Sequence, residues 1–256
     1  MQGCIANSGG PVLLELFDIV LVAGMFIALF ASGITAYSGF GGALIMVPLF
    51  TLLIGPVQAI ALMGICSAVS LIHVVPGLLR VIRWQEVLPV VAGLIISISI
   101  AASFLVEADA GIVRLCMGGF VLLAAAVLIL DLRYSGPRGV LPSFSIGAAT
   151  GVIMGGVGVP AGPVMVIYFL AAPEPAPVQR ANIMVCVWLL LVIMLVNLLW
   201  RDAIELKTML SAALIAPASI FGALLGQYLF RRAPVTWFKN VAHGLLVVIG
   251  VSLFLI

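Results

Sequence analysis

Apolar runs of about 20 residues recur along this chain, and they bound the fold before any motif is read. Val87–Val106, Ile112–Leu130 and Thr208–Phe230 are each long enough, as helix, to cross a bilayer core about 30 Å thick. Only 8% of the 256 residues are charged and 64% are hydrophobic, whereas a soluble domain carries about 25% charged residues. The chain reads as an all-α polytopic membrane protein forming a single membrane domain, residues 1–256. The first run lacks the leading positive charge of a signal peptide, since no Lys or Arg precedes Arg80, and it is expected to be retained.

Ten apolar segments are expected, at about Leu14–Tyr37, Ala43–Ile54, Val57–Leu79, Val87–Val106, Ile112–Leu130, Val140–Met154, Pro163–Ala172, Ala181–Trp200, Thr208–Phe230 and Val235–Ile256. The polar loop "DLRYSGPRG", 131–139, joins two halves, about 14–130 and 140–256, that look like repeats. "PVQA" at 56–59 matches "PVQR" at 177–180, each just after a short piece. "RLCMGGFVLLAAAVLIL" from Arg114 resembles "KNVAHGLLVVIGVSLFL" from Lys239. If all ten segments cross, Arg80, Arg83, Arg133, Arg138, Arg180, Arg231 and Arg232 share one side. Arg201, Lys207 and the acidic "EADAG" take the other. The positive-inside rule makes the arginine-rich side cytoplasmic, with both termini outside. Five passes per repeat then invert the second repeat against the first, a plan common in secondary transporters. The expected place is a bacterial plasma (inner) membrane.

Two stretches, "SGFGGALIMVPLF" from Ser38 and "GGVGVPAGPVMVIYF" from Gly155, set glycines and prolines between apolar runs. Both residue types are costly inside a helix. The expectation is a broken or re-entrant helix in each repeat, unwinding within the membrane and restarting as a half-helix. A half-helix N-terminus is partly positive and suits an anion. Close helix packing is the competing account of glycine, and it is preferred for Gly93, Gly118, Gly119 and Gly226. "GVGVPA" also fits a dinucleotide fingerprint, but no strand precedes it, so the match is accidental.

"GFGGALIMVPLF" followed by "GPVQAIALMGICSAVSLIH", and "GVGVPAGPVMVIYFL" followed by "PVQRANIMVCVWLLLVIMLVNLL", resemble the sulfite exporter TauE/SafE (TSUP) family over nearly the whole chain. The ending "FRRAPVTWFKNVAHGLLVVIG" is similar to that family's C-terminal segment. The resemblance implies a duplicated transporter of small anions, such as sulfite, sulfoacetate or related sulfonates. Ala43 stands where the family often has a third glycine, and Val159 interrupts the second motif.

Candidate substrate-binding residues are Ser38, Gly39, Gly41, Gly42, Gln58, Ser67, Ser70, His73, Gly156, Gly158, Gly162, Tyr168, Gln179, Arg180 and Asn182. They are expected near the midplane, between the two glycine breaks. Arg180 has a planar fork that binds two oxygens of an oxyanion; the alternative is an ordinary arginine obeying the charge bias. Ser67, Ser70 and His73 make a polar stripe that either lines a path or bonds its own helix. Tyr168 is either a donor to the anion or an interface anchor. No metal, cofactor or nucleic-acid motif appears, and no hydrolase or protease signature, so an enzyme is not expected. The expected partners are a small anionic substrate and the lipid bilayer, and a homodimer is compatible with this reading. An anion channel, or a thiol-redox carrier using Cys66 and Cys186, stands as the alternative.

Overall fold

A computed structural model describes residues 19–38, 41–72, 75–130 and 134–230, and ten helices among them. They are α1 (Ile19–Ser38), α2 (Gly42–Ile54), α3 (Pro56–Leu71), α4 (Val75–Leu78), α5 (Trp84–Glu107), α6 (Ala110–Ile129), α7 (Val140–Val157), α8 (Gly162–Leu170), α9 (Ala176–Trp200) and α10 (Leu206–Phe230). Five of these, α5, α6, α7, α9 and α10, are long and apolar enough to cross a membrane. The expected segment Val235–Ile256 lies outside the described residues, as do Gly39 and His73.

Prolines and glycines punctuate the chain where helices change direction. Gly41 caps α2 at φ 95°, Gly55 follows it at φ 82°, and Pro56 then opens α3, a position where its missing N–H costs nothing. Gly158 closes α7 in the left-handed region at φ 76°, its N–H bonded to Met154 O at 3.0 Å, the usual glycine stop. The expected Val57–Leu79 segment is divided, with α3 ending at Leu71 and α4 spanning Val75–Leu78 around Pro76 and Gly77. Proline cannot donate the helical bond four residues back, which accounts for the interruption.

The short helices return rather than continue. A Cβ on Gly42 would run into the carbonyl of Ala31 and Thr35 Oγ1, while one on Gly24 would lie 3.1 Å from Phe50 Cε1. Residue 42 thus lies beside 31–35 and residue 50 beside 24, so α2 doubles back along α1. At the other short piece, Tyr168 near the end of α8 bonds Ser143 near the start of α7, and α8 doubles back along α7. Of the two forms expected, a broken or a re-entrant helix, both short pieces take the re-entrant one, as two helical hairpins. Glycine permits this because α2 begins with no side chain between it and the α1 backbone.

Two seams carry the largest helix contacts, α5 against α7 and α10 against α1. Both are lined by glycine. A methyl group on Gly93 would strike Phe144 O, on Gly147 Val90 O, on Gly222 Leu29 O and on Gly226 Gly33 O. Backbones meet there because lipid gives helices no hydrophobic reason to associate, leaving close contact to hold them. Gly93 and Gly226 therefore pack helices, as the sequence suggests.

The helices line up two ends. Arg83 N–H donates to Asn182 Oδ1 at 3.0 Å, joining the starts of α5 and α9. Arg180 donates to Ala36 O near the end of α1. These residues, with Arg80 and Arg138, make an arginine-rich end. At the far end Arg201 donates to Ser99 O and Ser103 Oγ, and Gln58 reaches past the end of α9 to Ala203 O at 3.1 Å.

Substitution at the seams separates packing glycines from the rest. Gly147→Leu should lower the melting temperature and the yield of folded protein, since overpacking costs about 1–3 kcal/mol or more where backbone must move. Gly156→Ala, with nothing among the described residues within 4 Å of the added carbon, should leave both unchanged or slightly raised. Equal loss in the two variants would refute the seam.

Candidate functional site

The break between α1 and α2 holds the most chemically informative group. Arg180 lies in the second turn of α9 and is half-buried. Its Nη2 donates to Ala36 O at 2.7 Å. Ala36 is in the last turn of α1, where carbonyls run out of helical partners. A guanidinium there satisfies a carbonyl and opposes the negative end of the helix dipole, a charged hydrogen bond worth ~1.5–3 kcal/mol. The next helix, α2, begins six residues on at Gly42 with no side-chain cap, beside the Ala31 carbonyl, so its positive N-terminal end lies in the same half of α1.

The other candidates divide by position. Gly41 has only Ile34 Cγ2 near its Cβ direction, at 3.9 Å, and Gly42 is pressed on α1; Ser38 is the last residue of α1. Ser67 and Ser70 are on α3, whose Leu71 packs with Met184 of α9, so they lie toward the same end as Arg180. The Ser70 hydroxyl donates to Ser67 O at 3.4 Å, the local back-bonding that the sequence left open. Asn182 is fully buried and its Oδ1 accepts from Arg83 N–H, while Nδ2 has no partner. Two residues along a helix turn by about 200°, so Asn182 faces α5 while Arg180 faces α1. The Gln179 amide donates to Ala172 O at 2.7 Å.

The remaining candidates are elsewhere. Gln58 clamps the α9–α10 connection, with Nε2 on Ala203 O and Oε1 accepting from Glu205 N–H at 3.2 Å and Thr208 Oγ1 at 2.8 Å. Gly158 is near it, its Cβ direction closed by Ile60, Met117 and Leu105. Gly156 is open, and Gly162 starts α8 in a buried position. Arg180 and Gln58 thus mark opposite ends of α9, which rises about 30 Å from Arg180 to Trp200. One small anion cannot touch both breaks, or both glutamines, at once. The two matching motifs, "PVQA" and "PVQR", therefore lie at opposite ends of α9.

Tyr168 is fully buried, its hydroxyl 2.7 Å from Ser143 Oγ and its ring 4.4 Å beneath the Arg138 guanidinium. Arg138, Glu86, Arg83 and Glu174 form ion pairs around it that sequence reasoning treated as charge bias alone. Their only signal was the clustering of opposite charges in two loops distant along the chain. Cys66 and Cys186 are buried free thiols, and Cys66 Sγ lies 4.0 Å from Ala212 O. No group of three His, Cys, Asp or Glu side chains able to hold a metal occurs among the described residues.

These features belong to a recognisable lineage. The family described as Sulfite exporter TauE/SafE matches residues 24–253. A relative from Cupriavidus necator, named "Probable sulfite/organosulfonate exporter TauE", is 27% identical over 229 residues, covering 85% of this chain and 87% of its own length. No solved structure matches. With its all-helical bundle, its membrane-length helices and a family match over most of its length, this chain belongs to the TauE/SafE family of membrane anion transporters.

Proposed function

We propose that the protein exports a small anion, sulfite or a small organosulfonate such as sulfoacetate, from the arginine-rich side of a bacterial inner membrane. The observation that carries this reading is Arg180 on a carbonyl in the last turn of α1, the helix against which α2 begins. A guanidinium and a helix N-terminus at one break recognise an oxyanion without an enzyme's nucleophile or metal. The name of the Cupriavidus relative agrees with this substrate class. The positive-inside rule puts the arginine-rich end in the cytoplasm and both termini outside. An inside-negative potential would then drive one negative charge outward with ~2.3 kcal/mol per 100 mV, so export needs no coupled ion.

The inverted duplication belongs to the same reading. In it α5 and α10 are corresponding fourth helices, and α1 and α7 corresponding first helices. The contacts cross over, α5 on α7 and α10 on α1. The loop clamps cross as well: Gln58 of α3 holds the start of α10, and Asn182 of α9 holds the start of α5. This reciprocity supports two interleaved repeats. The anion meets the two glycine breaks in succession, the Arg180 break first.

Arg180 provides the test. Arg180→Lys should keep charge but lose the fork, weakening anion affinity several-fold. Arg180→Gln should cost tenfold to a hundredfold, the loss of a charged hydrogen bond at ~1.5–3 kcal/mol. Affinity is measured on folded protein of matched melting temperature. Unchanged affinity in both variants would remove Arg180 from recognition and leave it as the cap of α1.

A further inference from the structure

Away from the Arg180 break, charges of both signs gather at the N-terminus of α5. Arg83, just before the helix, gives its backbone N–H to Asn182, and its guanidinium pairs with Glu174 in the α8–α9 connection. One turn on, Glu86 meets Arg138, just before α7, at 3.4 Å. Arg138 also donates to Tyr168 O at 3.0 Å near the end of α8. The α8 helix is therefore pinned to α5 twice, through Tyr168 near its last residue and through Glu174 just beyond it.

Both pins are breakable. The Arg83 side chain is 50% exposed and Arg138 23%, so water reaches each pair, and ion pairs in contact with water are weak. The second pair is also incomplete. Among the described residues Glu86 holds Arg138 through Oε1, while Glu86 Oε2 and Arg138 Nε are both buried with no partner there. An arginine fork prefers two parallel bonds to one anion. A dissolved oxyanion offers what Glu86 does not.

We propose that Arg83, Glu86, Arg138 and Glu174 form an anion-exchange latch at the arginine-rich end. The two carboxylates hold the α7–α8 hairpin against α5. An arriving oxyanion, sulfonate or sulfite in class, takes their place on the two arginines and frees α8. The identity of the anion rests on the exporter reading above; the existence of the latch does not, and its test reads opening without transport.

The probe is a cysteine at Ser143→Cys, a position that is buried below Arg138 against Tyr168, in protein whose native cysteines are replaced by alanine. In lipid nanodiscs, labelling by a charged, impermeant maleimide should be slow. Arg83→Glu or Glu174→Arg should speed it at least tenfold, and the two together should restore the slow rate, because the pair is re-formed with its charges exchanged. Glu86→Gln, which keeps shape and removes charge, should also speed labelling with little change in melting temperature. Sulfoacetate should accelerate labelling saturably in the latch-intact protein and have no effect on the Glu86→Gln, Glu174→Gln double variant; sulfite itself is avoided because it adds to maleimides. Unchanged rates in the single variants, or no recovery in the exchanged pair, would overturn the latch. A latch that answers to charge but not to sulfoacetate would overturn exchange by a sulfonate. Failure of the exporter reading itself would show separately, as absence of flux in liposomes.

Discussion

The cost of ending a helix inside lipid shapes this protein more than any other interaction. An unbonded N–H or C=O in a hydrocarbon core costs several kcal/mol, so every interruption has to be covered by protein. Each one here is. Gly55 N–H returns to Thr51 O, Gly158 N–H returns to Met154 O, and the Arg180 guanidinium covers Ala36 O. The last is covered by a charge rather than by backbone. That bond leaves a cation at the end of α1, where the proposed export places the anion.

Glycine works in two distinct ways in this bundle. At Gly41 and Gly158 it supplies positive φ, allowing hairpins that no other residue adopts without strain. At Gly93, Gly147, Gly222 and Gly226 it supplies absence of a side chain, so that backbones of neighbouring helices touch. The first use makes the breaks and the second holds the frame around them. Because the seams join α5 to α7 and α1 to α10, the frame ties together helices from distant parts of the sequence, and the hairpins α1–α2 and α7–α8 are each built on one side of a seam.

Helices and their order were legible because length and apolarity are local properties. Val87–Val106 and Ala181–Trp200 were placed within a few residues, and the short pieces at Ala43 and Pro163 were recognised by glycine and proline. The direction of α2 was not legible. Whether a chain continues or turns back after Gly39–Gly42 depends on contacts with Ala31, Thr35 and Phe50, which no local pattern reveals. The same limit applied to the candidate site. Arg180 was found from its chemistry, but Gln58 and Gln179 look equivalent by repeat position and lie at opposite ends of α9. Likeness in sequence gave no sign of that opposition in space. Arg138 and Glu86, separated by 52 residues, signalled only as charges in two distant loops, and nothing local paired them.

Substrate flux in liposomes tests the central claim most directly. Purified protein is reconstituted, loaded with radiolabelled sulfite or sulfoacetate, and given a defined membrane potential. The account predicts saturable efflux of one of these anions, accelerated by a potential negative inside and competed by the other but not by acetate at equal concentration. Flux indifferent to both sulfur anions, in protein that is folded and correctly inserted, would contradict it.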